Sequence, residues 1–531
     1  MKYINKRTIF TATLGLLLFA VSCEKDLERE PITDVTSASV YKDFANYPSA
    51  LGKLYAGLAL GGQSGGDGNA DVSGIDGGFS NYLRQFYNMQ VLTTDEAVVG
   101  WNDDGLPDLH KMTWNTTNPF INAIYYRIYN VIAVSNEFIK NTSDGSLAAN
   151  GITGANATEA KYMRAEARFL RAQSYYHALD LFGNVPFVDE NTPAGELPKR
   201  ITRAELFTWV ESELLAVAND LKDPKTNEYG RADKASAGML LAKLYLNAGV
   251  YTGTTRYADC KKALDDYVLT AGYAIDTNFA DTFKGDNNLS TEIIFPIISD
   301  PAHAQSYGNV SYLINAAGIG KTDGIDLQPA FYLGSSGQWG GNKTTKEFIS
   351  LFSPGDKRAM FDKRDGLIEF ITDLSKDRQG YRITKFTNIR RNGTYIAGGS
   401  DSNFVDTDFP LFRLSDAYLM AAECAINGAG SLDATVLGNL NKLRQRAGMP
   451  TVTAAAVNSK FLIDERGREL FWECHRRTDL IRFGKFTGAS KIWQWKGGVK
   501  NGSGTEEFRN LMPIPSKTIQ ANPTLKQNPG Y

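Results

Sequence analysis

A chain of 531 residues with only four cysteines and four histidines has little capacity for the chemistry those residues carry. Cys23 stands near the amino terminus, which leaves Cys260, Cys424 and Cys474, an odd number that cannot close a complete disulfide framework. Each of the three lies in a segment that reads as helix, where a small buried hydrophobe is the expected role. His110, His177, His303 and His475 show no pair at metal-ligand spacing, and His177 and His475 read as packed side chains on helices. An excess of one charge is also missing. Fifty-seven Lys and Arg against 59 Asp and Glu give a formal charge of -2, which excludes the concentrated basic surface that nucleic acid requires. Long low-complexity tracts are absent and 42% of residues are hydrophobic, so disordered, collagen-like and coiled-coil readings drop out. What the chain does have is rings and glycine: 28 Phe, 25 Tyr, 7 Trp and 50 Gly.

The first segment reads as an address rather than as structure. Lys2, Lys6 and Arg7 precede an apolar run from Ile9 to Val21, followed by Ser22 and Cys23. Its length and its acidic rather than basic trailing flank mark a secretory signal, not a span. The stretch Ala20-Val21-Ser22-Cys23 resembles the end of a bacterial lipoprotein signal, although Ala20 stands where leucine is usual. On that resemblance residues 1–22 are removed, Cys23 is lipidated, and residues 23–35 form a tether. Glu24, Asp26, Glu28 and Glu30 resemble the acidic export signal of surface lipoproteins in Bacteroidetes; the plain alternative is a solvated tether. No other segment approaches ~20 apolar residues, so the lipid would be the membrane attachment.

The remaining length is enough for several domains or one large one. Helical patterns dominate. Residues 158–182 place Ala165, Phe169, Ala172, Tyr176 and Leu179 on one stripe, and Gly183 and Pro186 end it. Thr202-Arg203-Ala204-Glu205 is a capping box that opens a helix with Leu206, Val210, Leu214, Val217 and Leu221 inward. Further helices are predicted near 37–60, 118–140, 233–248, 256–270, 415–427, 432–447 and 459–475. Between about 272 and 410 the texture changes to short β-prone runs among Gly, Ser and Asn. The expected fold is mainly α, with tetratricopeptide-like helix pairs over about 118–270 and 411–484, and a loop-rich, partly β insert that forms the ligand-binding face.

Five ordered stretches carry a resemblance. They are Ala165 to Ala172 running into Leu181-Phe182-Gly183-Asn184-Val185-Pro186; Arg231-Ala232-Asp233-Lys234 with Tyr245-Leu246-Asn247-Ala248-Gly249; Pro410-Leu411-Phe412-Arg413-Leu414; Glu465 to Leu470 with Arg476 to Gly484; and Gln527-Asn528-Pro529-Gly530-Tyr531. Together they resemble the SusD/RagB family of surface glycan-binding lipoproteins, over almost the whole chain and with residues 36–531 as a single domain. The Arg and Glu residues in 164–171 and 465–477 share helices with apolar stripes and read as ion pairs that lock helices together.

A sugar site needs flat rings for the apolar C–H face of a pyranose and polar groups for its hydroxyls. Trp101 stands among Asn102, Asp103 and Asp104, and Trp339 stands among glycines and serines, where a core tryptophan would have apolar neighbours. Tyr307 is the third candidate. These segments resemble the starch-binding members of the family, which implies an arc of Trp101, Tyr307 and Trp339 following an α-1,4-glucan, with Asp76 and Arg84 on its hydroxyls. Asp104 stands where an amide is expected. If each ring covers roughly 50 Å² of sugar, about 1–1.5 kcal/mol per ring follows, and three rings suggest a dissociation constant between ~μM and ~mM. The same resemblance implies a structural calcium held by Asp406 and Asp408 with Asp286, against the alternative of a solvated turn; no other cofactor is expected.

Enzyme signals are thin. Gly62-Gln63-Ser64-Gly65-Gly66 fits G-x-S-x-G without the strand and helix of a nucleophile elbow, and Asn315 stands where a phosphate loop ending at Gly320-Lys321-Thr322 needs its first glycine. A glycosidase needs only two carboxylates and stays open as an alternative, as does a receptor for another polysaccharide or a peptide. The leading expectation is a non-catalytic, lipid-anchored protein of the outer-membrane surface that captures starch. The resemblance supplies its partner, a SusC-like TonB-dependent transporter.

Overall fold

The computed structural model describes residues 37–63, 65–66, 70–193, 195–319, 321–322, 325–326, 333–363, 366–394 and 403–531. The signal segment, Cys23 and the tether lie outside these residues, as do Ser64 and Gly320. Among the described residues no helix is long and apolar enough to cross a membrane.

The local signals produce the helices they predict. The Thr202 hydroxyl accepts from the Glu205 N–H and the Glu205 carboxylate accepts from the Thr202 N–H, so the Arg203–Asp220 helix begins at its capping box. It buries Leu206, Val210, Leu214 and Val217. The Gly154–Leu181 helix differs from a one-stripe reading: from Ala165 onward its residues are buried almost all round. The Tyr47–Ala59, Pro119–Asn141 and Arg203–Asp220 helices all pack on it. Its charged residues are correspondingly paired. Glu166 accepts from Arg231 at 2.6 and 3.0 Å and from the Tyr55 hydroxyl, and Arg171 reaches Glu213 at 2.8 Å.

From there the helices stack in chain order. Arg203–Asp220 contacts Lys234–Leu246, which contacts Tyr257–Tyr267, which contacts Leu414–Ile426; Ala434–Arg446 and Ser459–Leu470 lie against the last. Most of these helices bury their apolar face on the helix next to them in sequence, the arrangement of a tetratricopeptide-like scaffold, while Ser459–Leu470 skips one helix to pack on Leu414–Ile426. The buried apolar side chains from Tyr41 to Ile514 form one continuous cluster that includes Cys260, Cys424 and Cys474, all free thiols. One boundary differs from the sequence expectation. The last of these helices ends at Leu470 rather than 475, because Trp472 and Cys474 take φ of 61° and 63°, values no right-handed helix contains. Cys474 is therefore in a turn, and His475 caps a new helix, Arg476–Arg482.

The insert is closed at its base. Ile293–Ile297 pairs antiparallel with Phe409–Arg413, Phe409 opposite Ile297 and Arg413 opposite Ile293, and both strands are fully buried. Pro296 and Pro410 face each other across the ladder, tolerated because each strand of a two-stranded sheet has a free edge. Beneath this base lies a buried charge cluster. Arg413 reaches Glu292 at 2.7 Å, Glu469 at 2.9 Å and Glu473 at 2.6 Å; Arg446 pairs with Glu292 and Glu469, Arg358 with Glu465 and Glu469, and Lys385 with Glu473. These side chains are sealed from solvent, which makes the Glu465–Arg477 charges structural, as their placement on apolar-striped helices implied.

Candidate functional site

Inside the insert the sequence pattern missed a helix, Asn309–Ala317, whose nine residues are all buried. It is short, it is flanked by Gly308 and Gly318, and Asn309 itself sits at φ 51°, a value asparagine tolerates. This helix is the spine on which separate loops meet.

Tyr307 stands one residue before its N-cap, Gly308. The backbone there is held close to Asn81, whose amide donates to the Ser306 hydroxyl at 2.8 Å; a Cβ on Gly308 would lie 2.2 Å from the Asn81 side chain. At the other end of the spine the Trp339 N–H donates to the Asn315 carbonyl at 2.8 Å and the Gly340 N–H to the Gly318 carbonyl at 2.7 Å. Those bonds bring Trp339 to Tyr307, ring centroids 5.8 Å apart and edge to face. Trp101 arrives by a third route. Val98–Val99 pairs antiparallel with Asn342–Lys343, and the Gly100 N–H donates to the Gly341 carbonyl at 2.8 Å. The Trp101 ring then lies on Gly341, where an added Cβ would be 2.4 Å from the indole; only glycine fits that contact at φ 102°. Trp101, Tyr307 and Trp339, far apart in sequence, thus converge at one loop-built face, each of them half-buried.

Arg84 belongs to the same assembly. Its guanidinium stacks on the Tyr312 ring at 4.3 Å, and Tyr312 in turn meets Trp101 at 6.3 Å. Arg84 Nε is buried without a hydrogen-bond partner. Burial pulls Arg84 below the ordinary arginine value, opposed by Tyr312, Asp103 and Asp76. Asp103 rather than Asp104 is the carboxylate whose charge Arg84 feels on that loop; Asp104 is exposed. Asp76 is exposed, and its Oδ1 accepts from the Gly78 and Phe79 N–H groups at 2.8 and 3.0 Å. Arg127 pins the glycine-rich loop behind it, donating to the carbonyls of Gly61 and Ser80, each at 2.8 Å, and pairing with Asp71.

Two participating rings were not legible in the sequence. Tyr312 reads as core and is fully buried, and Phe404 backs Tyr307 at 5.1 Å. Beside Trp101, burial and the nearby Arg382 push Lys343 down to about 7, while its ammonium donates to the carbonyls of Leu374 and Lys376, both at 2.7 Å.

The expected calcium trio does not assemble. Asp408 accepts from the Tyr229 hydroxyl and the Ser299 N–H, and burial pushes its carboxyl up to about 6. Asp406 pairs with Arg390 at 3.1 Å, and Asp286 accepts from the Arg391 N–H. Among the described residues no group of three His, Cys, Asp or Glu side chains is placed to hold a metal ion. Three of the four histidines are buried and equally unsuited to acid–base work, while the exposed His303 lies 2.9 Å from the Asp300 carboxylate. Burial pushes His110 and His177 down to about 3, and His475 lies 3.0 Å from the Lys243 ammonium.

Helix pairs carrying a face of half-buried rings and a stacked arginine define a scaffold-type ligand-binding protein. Comparison with known proteins supplies the family. Residues 372–531 match the sequence model of the SusD family. The starch-binding protein SusD of Bacteroides thetaiotaomicron is 34% identical over an alignment covering 100% of this chain and 99% of the relative. Surface glycan-binding protein A from Bacteroides uniformis superposes with a TM-score of 0.70 at 21% identity, covering 92% of this chain and 99% of that one. Surface glycan-binding protein A from Bacteroides thetaiotaomicron, solved with laminarihexaose, gives 0.68 at 20% identity, covering 91% and 99%. The chain belongs to the SusD family.

Proposed function

We propose that this protein is a non-catalytic glycan receptor that captures α-1,4-glucan on the face formed by Trp101, Tyr307 and Trp339, with Arg84 and Asp76 meeting sugar hydroxyls. The observation that carries the proposal is the convergence of three half-buried rings from separate segments, two of them 5.8 Å apart, beside an arginine with an unpartnered donor. Rings in that position cover the C–H faces of consecutive pyranoses, and a charged donor gives direction to the hydroxyl contacts. The full-length relative named for starch binding supports α-glucan as the ligand. Lipidation at Cys23 would hold the receptor on the outer-membrane surface. A SusC-like TonB-dependent transporter would take the captured oligosaccharide, and uptake energy would come from that partner.

The test is calorimetric titration of the chain from residue 24, which retains the whole buried core from Tyr41 onward, with maltoheptaose, cyclic α-glucan, laminarihexaose, xylan, mannan and levan. Saturable binding of the two α-glucans with dissociation constants between ~μM and ~mM is expected. Preference for laminarihexaose or another polymer would reassign the ligand while leaving the face in place.

A further inference from the structure

We infer that the protein has a second saccharide subsite, for one neutral hexopyranose ring, in the pocket of about 300 Å³ between Phe79, Tyr126 and the Ser516–Ala521 helix. The inference rests on the glycan reading above. Phe79 and Tyr126, both half-buried, line the pocket with ring surface. Phe79 is fixed from behind by Phe120, centroids 5.1 Å apart. One polar group of the pocket is uncommitted. Asn122 Oδ1 is buried with no hydrogen-bond partner, an unsatisfied acceptor that a sugar hydroxyl would satisfy by donating to it.

Across the pocket stand Asp76 and Lys517, and neither is in an ion pair among the described residues. Asp76 Oδ1 is occupied by two backbone N–H groups, which leaves Oδ2 to accept from a ligand. The Ser516 N–H donates to the Thr116 carbonyl at 3.1 Å and thereby holds the start of the Lys517 helix in the pocket wall. One carboxylate and one ammonium of opposite sign suit a neutral polyol, which can donate to the first and accept from the second, better than an anion or a cation. The pocket volume fits a single pyranose. Asp76 also links this pocket to the ring face, because Arg84 feels its charge.

Tyr126→Ala and Asn122→Leu, each alone and in a Trp101→Ala/Trp339→Ala background, are to be titrated with maltoheptaose and laminarihexaose, and melting temperatures compared. Tyr126 is half-buried at the edge of the core with its ring edge to face on Tyr125, so the melting temperature separates loss of fold from loss of binding. The expected result is residual glycan binding in the double tryptophan variant that Tyr126→Ala weakens roughly tenfold, with Asn122→Leu acting in the same direction. Unchanged affinity on adding either substitution overturns the subsite while leaving the ring face standing. Binding lost through Tyr126→Ala but indifferent to both tryptophans supports the subsite and overturns the ring face. No glycan binding in any form overturns both.

Discussion

Two regions of this molecule use the same residue types for opposite ends. At the base of the insert Arg358, Lys385, Arg413 and Arg446 meet Glu292, Glu465, Glu469 and Glu473, and every one of those carboxylates has a cationic partner inside the core. At the loop face Arg84 stacks on Tyr312 with its Nε unpartnered, beside half-buried rings and exposed Asp103 and Asp76. The first set is closed and the second open. Charge pairing separates the two: Arg446 also has a buried, unbonded Nε but its guanidinium is ion-paired within the core, whereas Arg84 stacks on a ring and is in no ion pair among the described residues.

The comparison breaks most sharply at Glu469, which serves Arg358, Arg413 and Arg446 together. Glu469→Ala leaves buried cations uncompensated and should cost about 3–5 kcal/mol in denaturant unfolding, while the folded fraction keeps its glycan affinity. Acid should act on the same region. Burial would raise the Glu469 carboxyl, but Arg446, Arg413 and Arg358 more than offset this and hold it well below the ordinary glutamate value; Asp479 is likewise held down, at about 2, against burial by Arg466 and Arg482. The unfolded chain binds these protons first, so their contribution is complete above about pH 5 and is lost progressively as pH falls below about 4. A thermal-melt series from pH 7 to pH 3 should show stability rising as Asp408, its carboxyl pushed up to about 6 by burial, takes up its proton, and then a steep decline below about pH 4.

The helix scaffold was legible because its determinants are local. The Thr202 capping box, the 3.6-residue spacing of Leu206, Val210, Leu214 and Val217, and Gly183 at φ 73° each act within a few residues. The ring candidates Trp101, Tyr307 and Trp339 were legible because large rings stood among glycines and polar residues. What brings them together was not. The Asn309–Ala317 spine is short and buried on all sides, so it has no periodic stripe, and the Val98–Val99 pairing with Asn342–Lys343 joins segments more than two hundred residues apart. The calcium trio failed for the same reason from the other side. Neighbouring aspartates in sequence gave no information about Tyr229, Ser299, Arg390 and Arg391, which already occupy them.

Smaller effects sharpen the open region. Gly341→Ala places a methyl 2.4 Å from the Trp101 indole at φ 102°, so the ring must move; a stability loss of ~1–3 kcal/mol and at least tenfold weaker maltoheptaose binding are expected. Asp104→Asn should do least, because Asp104 is exposed and Arg84 feels Asp103 instead; its melting temperature should be unchanged and its stability within ~0.5 kcal/mol.

The most direct test is titration of Trp339→Ala and Trp101→Ala with maltoheptaose, each checked by thermal melting. Roughly tenfold weaker binding in either variant, with the fold intact, is the predicted result, since each ring contributes about 1–1.5 kcal/mol of sugar contact. Undiminished affinity in both variants would contradict the assignment of this face as the glycan-capturing surface.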